Sequence, residues 1–196
     1  MNTRPTFLMQ RGRFDSKLRG YLPMKKSIKI ISIIITCLLA FPAVLLAGQF
    51  KVTKVYDGDT IMAEGHDIVI YVMLAGIDAP EVASRRSQPH QPYGQEATRY
   101  LESLILNEII DIKGYGIGAY PYNHLIGEVY LKDKNVNIEM LKKGLAEVWL
   151  ERPPRGLDIV PYLEAERKAR EAGLGMWSLG SKYMSPRDWR KIHAQK

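Results

Sequence analysis

Cysteine is almost absent from this chain of 196 residues, and its one cysteine, Cys37, falls inside a long apolar stretch near the N-terminus. Residues 49–196 therefore form neither a disulfide nor a zinc site with thiolate ligands, and a hydrophobic core must stabilise them. The sequence also lacks low-complexity tracts and repeats of fixed period. Its length and composition suit one ordinary globular domain preceded by a leader.

Net positive charge is missing from most of the chain, although the total is +7. Of its 28 Lys and Arg and 21 Asp and Glu, residues 1–48 hold eight bases and one acid, so residues 49–196 hold 20 of each. Overall charge thus gives the folded part no support for binding a polyanion. Only the end is locally basic, and we interpret residues 179–196 as a solvated basic tail.

The N-terminal segment has the pattern of an export signal. Three lysines precede an almost uninterrupted apolar run from Ile30 to Ala47: Lys25, Lys26 and Lys29. Basic flanks stay in the cytoplasm while the apolar segment enters the bilayer. We predict that residues 1–48 are a leader, with the true start at Met24, and favour cleavage over retention as a membrane anchor. The protein is then exported, and is secreted, periplasmic or anchored at the cell surface.

The rest of the chain reads as short strands with inserted helices. Alternating and β-branched stretches bounded by turn residues predict five strands, at 50–52, 60–63, 68–74, 109–112 and 126–131. Apolar residues at helical spacing, with glycines at the ends, predict three helices, at 93–106, 136–143 and 158–172. We therefore expect an α+β domain over residues 49–178, a small, partly open β-barrel with helices.

Four carboxylates stand where two neighbouring segments of this barrel turn. Asp57 and Asp59 flank a glycine, and Asp78 and Glu81 follow the third strand. Sequential strands usually pair, which brings these acids together, and their repulsion then calls for a cation. Oxygen ligands without His or Cys favour calcium, or magnesium and manganese, over zinc. For Asp57 and Asp59 taken alone, a plain turn is the simpler interpretation.

These residues also carry a family resemblance. The chain resembles the staphylococcal nuclease (thermonuclease) family in a series of short motifs in the same order and spacing, at 55–60, 74–81, 93–97, 136–137, 144–146, 164–165 and 175–178. The resemblance implies a five-stranded oligonucleotide-binding (OB) barrel with three helices. It also implies a calcium-dependent endonuclease that hydrolyses phosphodiester bonds in DNA or RNA.

The resemblance assigns separate roles to the acids. Asp59 and Asp78 match the carboxylate ligands of the cation, and the carbonyl of Ala79 completes the protein's share. Asp57 reaches the cation through water. Glu81 matches the carboxylate that orients or deprotonates the attacking water, a role that general-base catalysis requires.

Two positions depart from the family pattern. The family places two arginines on the scissile phosphate, and here their positions are Met73 and His124. Methionine offers neither charge nor hydrogen-bond donor, while histidine donates a bond without the arginine fork. We expect His124 to be an altered phosphate contact. Three other arginines are candidate substitutes, although a surface charge is the simpler interpretation of each: Arg85, Arg86 and Arg99.

Two aromatic residues complete the predicted site. Tyr122 matches a family tyrosine near the substrate phosphate, and Trp149 either lines the binding groove or packs at the rim of the core. We expect a monomer that binds single-stranded or flexible DNA or RNA and meets a membrane only through an uncleaved leader. Two alternatives stay open: a catalytically impaired nucleic-acid- or partner-binding domain of the cell envelope, and a structural calcium-binding envelope module.

Overall fold

The strands wind into a closed barrel. The computed structural model describes residues 49–83, 89–118, 123–151 and 153–193. The predicted leader, residues 1–48, lies outside the described residues. Within the described part of the chain, no helix is both long enough and apolar enough to cross a membrane.

Five strands form the barrel, in the order β3-β2-β1-β5-β6, and a parallel pairing between β3 and β6 closes it. Their bounds are β1 Gln49–Val55, β2 Thr60–Gly65, β3 Ile68–Leu74, β5 Ile109–Ile117 and β6 Leu125–Leu131. Two-residue strands complete the sheets: β7 Lys134–Asn135 extends β6, and β4 Ile77–Asp78 pairs with β8 Glu147–Val148. The five-stranded OB-type barrel is confirmed. The expectation that it is partly open is wrong, because the β3–β6 pairing joins its edges.

Alternation along the strands explains the barrel's interior. In β1, Val52 and Val55 are buried whereas Lys51 and Lys54 are exposed. A strand places successive side chains on opposite faces, which alone would separate two valines three positions apart. The pairing of β1 with β2 shifts register between Val52 and Lys54, and this bulge returns Val55 to the core side. The other barrel strands contribute buried β-branched residues in the same way: Ile61, Val72, Ile110 and Val129.

The described residues contain four α-helices and one 3₁₀ helix, so the predicted count of three helices is wrong. Their bounds are α1 Gly94–Ile105, α2 Val136–Lys142, α3 Val160–Glu171, the 3₁₀ helix Gly175–Lys182 and α4 Pro186–His193. The three predicted helices are present as α1, α2 and α3. The additional ones are the 3₁₀ helix, which begins inside the predicted domain and continues past residue 178, and α4, which the buried Pro186 opens. The interpretation of this segment as a solvated tail is therefore wrong.

A buried amide ties the first turn of α2 to the barrel. Asn137 is fully buried, and its Nδ2 donates to the carbonyl oxygens of Ala75 (2.9 Å) and Gly127 (3.2 Å). Its Oδ1 accepts from the backbone N–H of Val129 at 3.0 Å. One side chain thus satisfies three backbone groups of β6 and of the turn between β3 and β4, the turn that leads to Asp78.

We predict that Asn137→Ala lowers the free energy of unfolding by about 2–4 kcal/mol, because it leaves buried backbone groups without partners. Chemical denaturation with urea measures the change. Asn135→Ala is the matched control: it removes the N-cap hydrogen bond from Ile138 N on the same helix and a hydrogen bond to Glu128, at a cost of about 1–2 kcal/mol. Equal destabilisation by the two variants would contradict the special role of Asn137.

Candidate active site

All four predicted acids line one cavity of about 690 Å³ at the surface of the barrel. Its wall comes from the turn between β1 and β2, from β2 and β3, and from β4 with the segment that follows it. Single residues just before β6, just after β8 and on α4 complete it. The lining side chains that matter for chemistry are Asp57, Asp59, Asp78, Glu81, Met73, His124, Trp149 and Arg190. The two acidic segments therefore lie together in the structure, as the sequence predicts.

The turn between β1 and β2 holds Asp59 in place. The backbone N–H of Asp59 donates to Asp57 Oδ1 at 3.0 Å, while Asp59 Oδ2 accepts from the backbone N–H of Ala79 at 2.9 Å. Gly58 is required here: a Cβ at its position would lie 2.6 Å from Cβ of Ala79 and 2.7 Å from Cβ of Ala97. The missing side chain lets the acidic turn approach the segment that carries Asp78.

The start of α1 positions Glu81. Gln91 is buried, its Oε1 accepts from the backbone N–H of Glu81 at 3.0 Å, and its own N–H donates to the Glu81 carbonyl at 3.0 Å. A Cβ on Gly94, the first residue of α1, would lie 2.4 Å from that same carbonyl oxygen. The glutamate backbone is thus fixed against α1, while its side chain faces the cavity.

Burial and mutual repulsion act on the carboxylates. Burial raises the pKa of Asp59 well above its ordinary value, and the nearby charges of Asp57 and Asp78 raise it further. Burial also raises the pKa of Glu81, although the guanidinium of Arg190 acts in the opposite direction. A raised pKa means that the charged form is disfavoured, so a positive charge entering the cavity stabilises these acids.

Arg190 is the site residue that sequence reasoning missed. Its Nη1 donates to Asp78 Oδ1 at 2.8 Å and to Glu81 Oε1 at 2.5 Å, and its Nη2 donates to Asp78 Oδ2 at 2.8 Å. It lies on α4, more than 100 positions after both acids. The only available signal was local: a proline at 186 followed by a tryptophan at 189 is unusual for a solvated end.

The other predicted residues have different outcomes. His124 and Trp149 line the cavity, as does Met73, and the backbone of Ala79 contacts Asp59. Arg99 is exposed on α1 and lines a different surface pocket with Tyr93 and Lys143. It is therefore not a substitute for the absent arginines. Three predicted substrate contacts lie outside the described residues: Tyr122, Arg85 and Arg86.

The donor set suits a hard divalent cation by its chemistry. Asp59 and Asp78 offer carboxylate oxygens in one cavity and are close enough for each charge to disfavour the other, which is the situation that a bound cation relieves. Among the residues that the structure describes, no group of three or more His, Cys, Asp or Glu side chains is arranged to hold a metal ion. Arg190, bonded to both oxygens of Asp78, occupies part of the space that a cation would use.

An aromatic row borders the cavity. The rings of Tyr56 and Tyr71 lie 5.9 Å apart, and Tyr71 stacks on His124 with 5.6 Å between ring centroids and an interplanar angle of 17°. The ammonium group of Lys54 lies 4.2 Å from the centre of the Tyr56 ring. Both tyrosines are exposed, at 38% and 44% of their surface. The row therefore leaves aromatic surface and one positive charge exposed to solvent beside the acids.

Comparison with known proteins agrees with this geometry. A family model described as "Staphylococcal nuclease homologue" matches residues 71–179, more than half of the chain. The chain is 37% identical over 132 residues to "Probable endonuclease LCL3" of Pyricularia oryzae, an alignment that covers 64% of this chain and 50% of that protein.

A second relative matches over more of its length. An "Uncharacterized endonuclease" of Haemophilus influenzae is 30% identical over 166 residues, covering 81% of this chain and 85% of the relative. The chain spans about half the length of the LCL3 relatives it matches, including one from Komagataella phaffii at 31% identity that is covered over 55%. With its closed five-stranded barrel and this match, the chain belongs to the staphylococcal nuclease family.

Proposed function

We propose that this chain is a cation-dependent nuclease that hydrolyses phosphodiester bonds of DNA or RNA. The observation that carries the proposal is the convergence of Asp57, Asp59, Asp78 and Glu81 on one cavity of a family barrel. The names of the relatives, which call them endonucleases, support cleavage within the strand.

In this proposal the acids divide the work. Asp59, Asp78 and the carbonyl of Ala79 hold the cation, with calcium favoured over magnesium or manganese, and Asp57 contributes through water. When bound, the cation neutralises charge on the phosphate and lowers the pKa of nearby water. Glu81 accepts the proton of the attacking water. Its backbone is fixed by Gln91 and its side chain faces the cavity, which supports its assignment as the general base.

The aromatic row supports single-stranded or flexible nucleic acid as the substrate. Bases stack on exposed rings without sequence preference, and such stacking requires that the bases be unpaired. Tyr56 and Tyr71 are exposed beside the acids, and Lys54 adds a positive charge to the row. Trp149, which lines the cavity and is half-buried, is a further ring for a base next to the scissile phosphate.

Two other functions follow if turnover is absent. Met73 offers no donor to a phosphate where it lines the cavity, which favours a domain that binds nucleic acid or another partner without cleaving it. A structural calcium module uses the acids only for stability. In each case the proposed place of action is outside the cytoplasm, through the predicted leader.

We predict that the purified full chain cleaves single-stranded DNA or RNA in calcium and that chelation abolishes cleavage. Asp59→Ala removes a cation ligand and should abolish it too. Glu81→Gln keeps the size of the side chain but cannot accept the proton, so kcat should fall roughly 100- to 10,000-fold. Gel analysis of end-labelled oligonucleotides, with magnesium and manganese in parallel, measures the rates.

Glu64→Gln is the matched control, since Glu64 is exposed on β2 and does not line the cavity. It should cleave at the wild-type rate. Cleavage that survives both chelation and Asp59→Ala would refute the proposed chemistry.

We also predict that calcium raises the melting temperature of the wild-type chain. A cation at a concentration about 100 times its Kd adds about 2.7 kcal/mol, which corresponds to several degrees. Asp59→Asn should lose this shift. In chelator it should be at least as stable as the wild type, because it removes a partly buried charge that Asp57 and Asp78 disfavour. An unchanged calcium shift in the variant would place the cation elsewhere.

The aromatic row gives a separate prediction. Tyr71→Ala should weaken the binding of a single-stranded oligonucleotide by about 5- to 100-fold, the equivalent of one lost base–ring stack, and should leave duplex binding unchanged. Fluorescence anisotropy in chelator measures binding without cleavage. Tyr71→Phe keeps the ring and should bind as the wild type does. Equal losses for single strands and duplexes would exclude base stacking.

A further inference from the structure

The cavity contains far more negative than positive charge. Four carboxylates line it, and among the described residues that line it Arg190 is the one Lys or Arg side chain. A phosphodiester is itself an anion and gains negative charge on its oxygens as water attacks. Hydrolysis at this site therefore needs a donor of positive charge that acts on the phosphate as well as on the acids.

The guanidinium of Arg190 has the hydrogen-bonding capacity for two partners. It carries five N–H donors in a plane, and its contacts with Asp78 and Glu81 engage three of them. The side chain remains 40% exposed at the cavity. An arginine held on one edge by carboxylates can offer its other edge to a phosphate, because the planar fork keeps both edges in fixed directions.

Several contacts besides the bonds of Arg190 to the carboxylates fix the position of α4. Gln91 donates from Nε2 to the carbonyl of Met184 at 2.8 Å, just before the helix. The hydroxyl of Tyr183 donates to Glu147, and Arg187 pairs with Glu151. Pro186 is buried. The helix is thus attached to the barrel at its N-terminal end by contacts other than the bonds of Arg190 to the carboxylates, and these contacts place Arg190 at the cavity.

We propose that Arg190 is a catalytic residue of this site and contacts the scissile phosphate. It takes the role of the two family arginines, whose positions here hold Met73 and His124. The inference rests on the proposed function. In the step, water oxygen bonds to phosphorus as its proton passes to the Glu81 carboxylate. The bond from phosphorus to the leaving sugar oxygen breaks with its electron pair, and that oxygen takes a proton from solvent. Arg190 stabilises the charge on a non-bridging phosphate oxygen during this exchange.

The contacts of Arg190 with the carboxylates also allow the opposite interpretation, that Arg190 inhibits the site. The experiment must distinguish this interpretation from the proposed phosphate contact. An arginine bonded to both oxygens of Asp78 competes with a cation for that ligand. If this were its role, removing Arg190 would strengthen calcium binding and speed cleavage. The two interpretations therefore predict changes of opposite sign in kcat.

The test compares Arg190→Ala and Arg190→Lys with Lys191→Ala in the full chain with calcium. Arg190→Ala should lower kcat roughly 100-fold or more with a small change in KM, and Arg190→Lys should be intermediate because it keeps charge without the fork. Lys191 is exposed on the same helix and pairs with Asp188; its variant should match the wild type. Ethylguanidinium in solution should restore Arg190→Ala in a saturable manner.

A second arm asks whether the lost group can be supplied from the family position. Met73 lines the same cavity, so adding Met73→Arg to Arg190→Ala should recover part of the lost kcat. A calcium-induced rise in melting temperature shows that each variant is folded, and Arg190→Lys serves if the alanine variant is not. Wild-type or higher kcat in a folded Arg190→Ala protein would overturn the inference while leaving the proposed function intact.

Failure of the proposed function has a different signature. If the wild-type chain cleaves neither DNA nor RNA with any of the three cations, the nuclease proposal falls. The phosphate contact is then tested by the affinity for a labelled single-stranded oligonucleotide. At least fivefold weaker binding by Arg190→Ala than by Lys191→Ala supports the contact, and equal binding overturns it.

Discussion

Repulsion among carboxylates is the constraint on which this site depends. Asp59 is partly buried beside Asp57 and Asp78, and both neighbours disfavour its charge. The barrel tolerates this arrangement because backbone groups and one guanidinium take up the carboxylate oxygens: Ala79 N–H bonds Asp59, while Arg190 bonds Asp78 and Glu81. Without positive charge nearby, repulsion destabilises such a cluster of carboxylates. The stability of the site therefore depends on the positive groups that bind these carboxylates.

Particular residues of the fold hold the carboxylates close together against their repulsion. Glycine at 58 allows the acidic turn to touch Ala79 and Ala97, and glycine at 94 allows α1 to reach the backbone of Glu81. Asn137 fastens the turn that leads to Asp78 by satisfying three backbone groups in the core. Small residues and a buried amide thus set distances that the charged residues alone would oppose.

Much of this could be predicted from the sequence, for identifiable reasons. The strands were recognisable because buried valines and isoleucines alternate with polar residues, and the acidic pairs because each stands at a strand end. The closure of the barrel could not be predicted, because the β3–β6 pairing joins segments about 50 residues apart and no local pattern in the sequence indicates it. Arg190 was missed for the same reason. Its partners are distant in sequence, and a basic residue near the end of a chain has the composition of a solvated tail.

Gln91 joins two parts of the molecule that the sequence keeps apart. Its amide binds the backbone of Glu81 on one side and the carbonyl of Met184, just before α4, on the other. The docking of the last helix and the placement of Glu81 therefore depend on the same side chain. For a cavity ligand that binds more tightly when α4 is docked, a molecule that holds α4 in that position raises its affinity, and by reciprocity the ligand strengthens the binding of that molecule by the same factor.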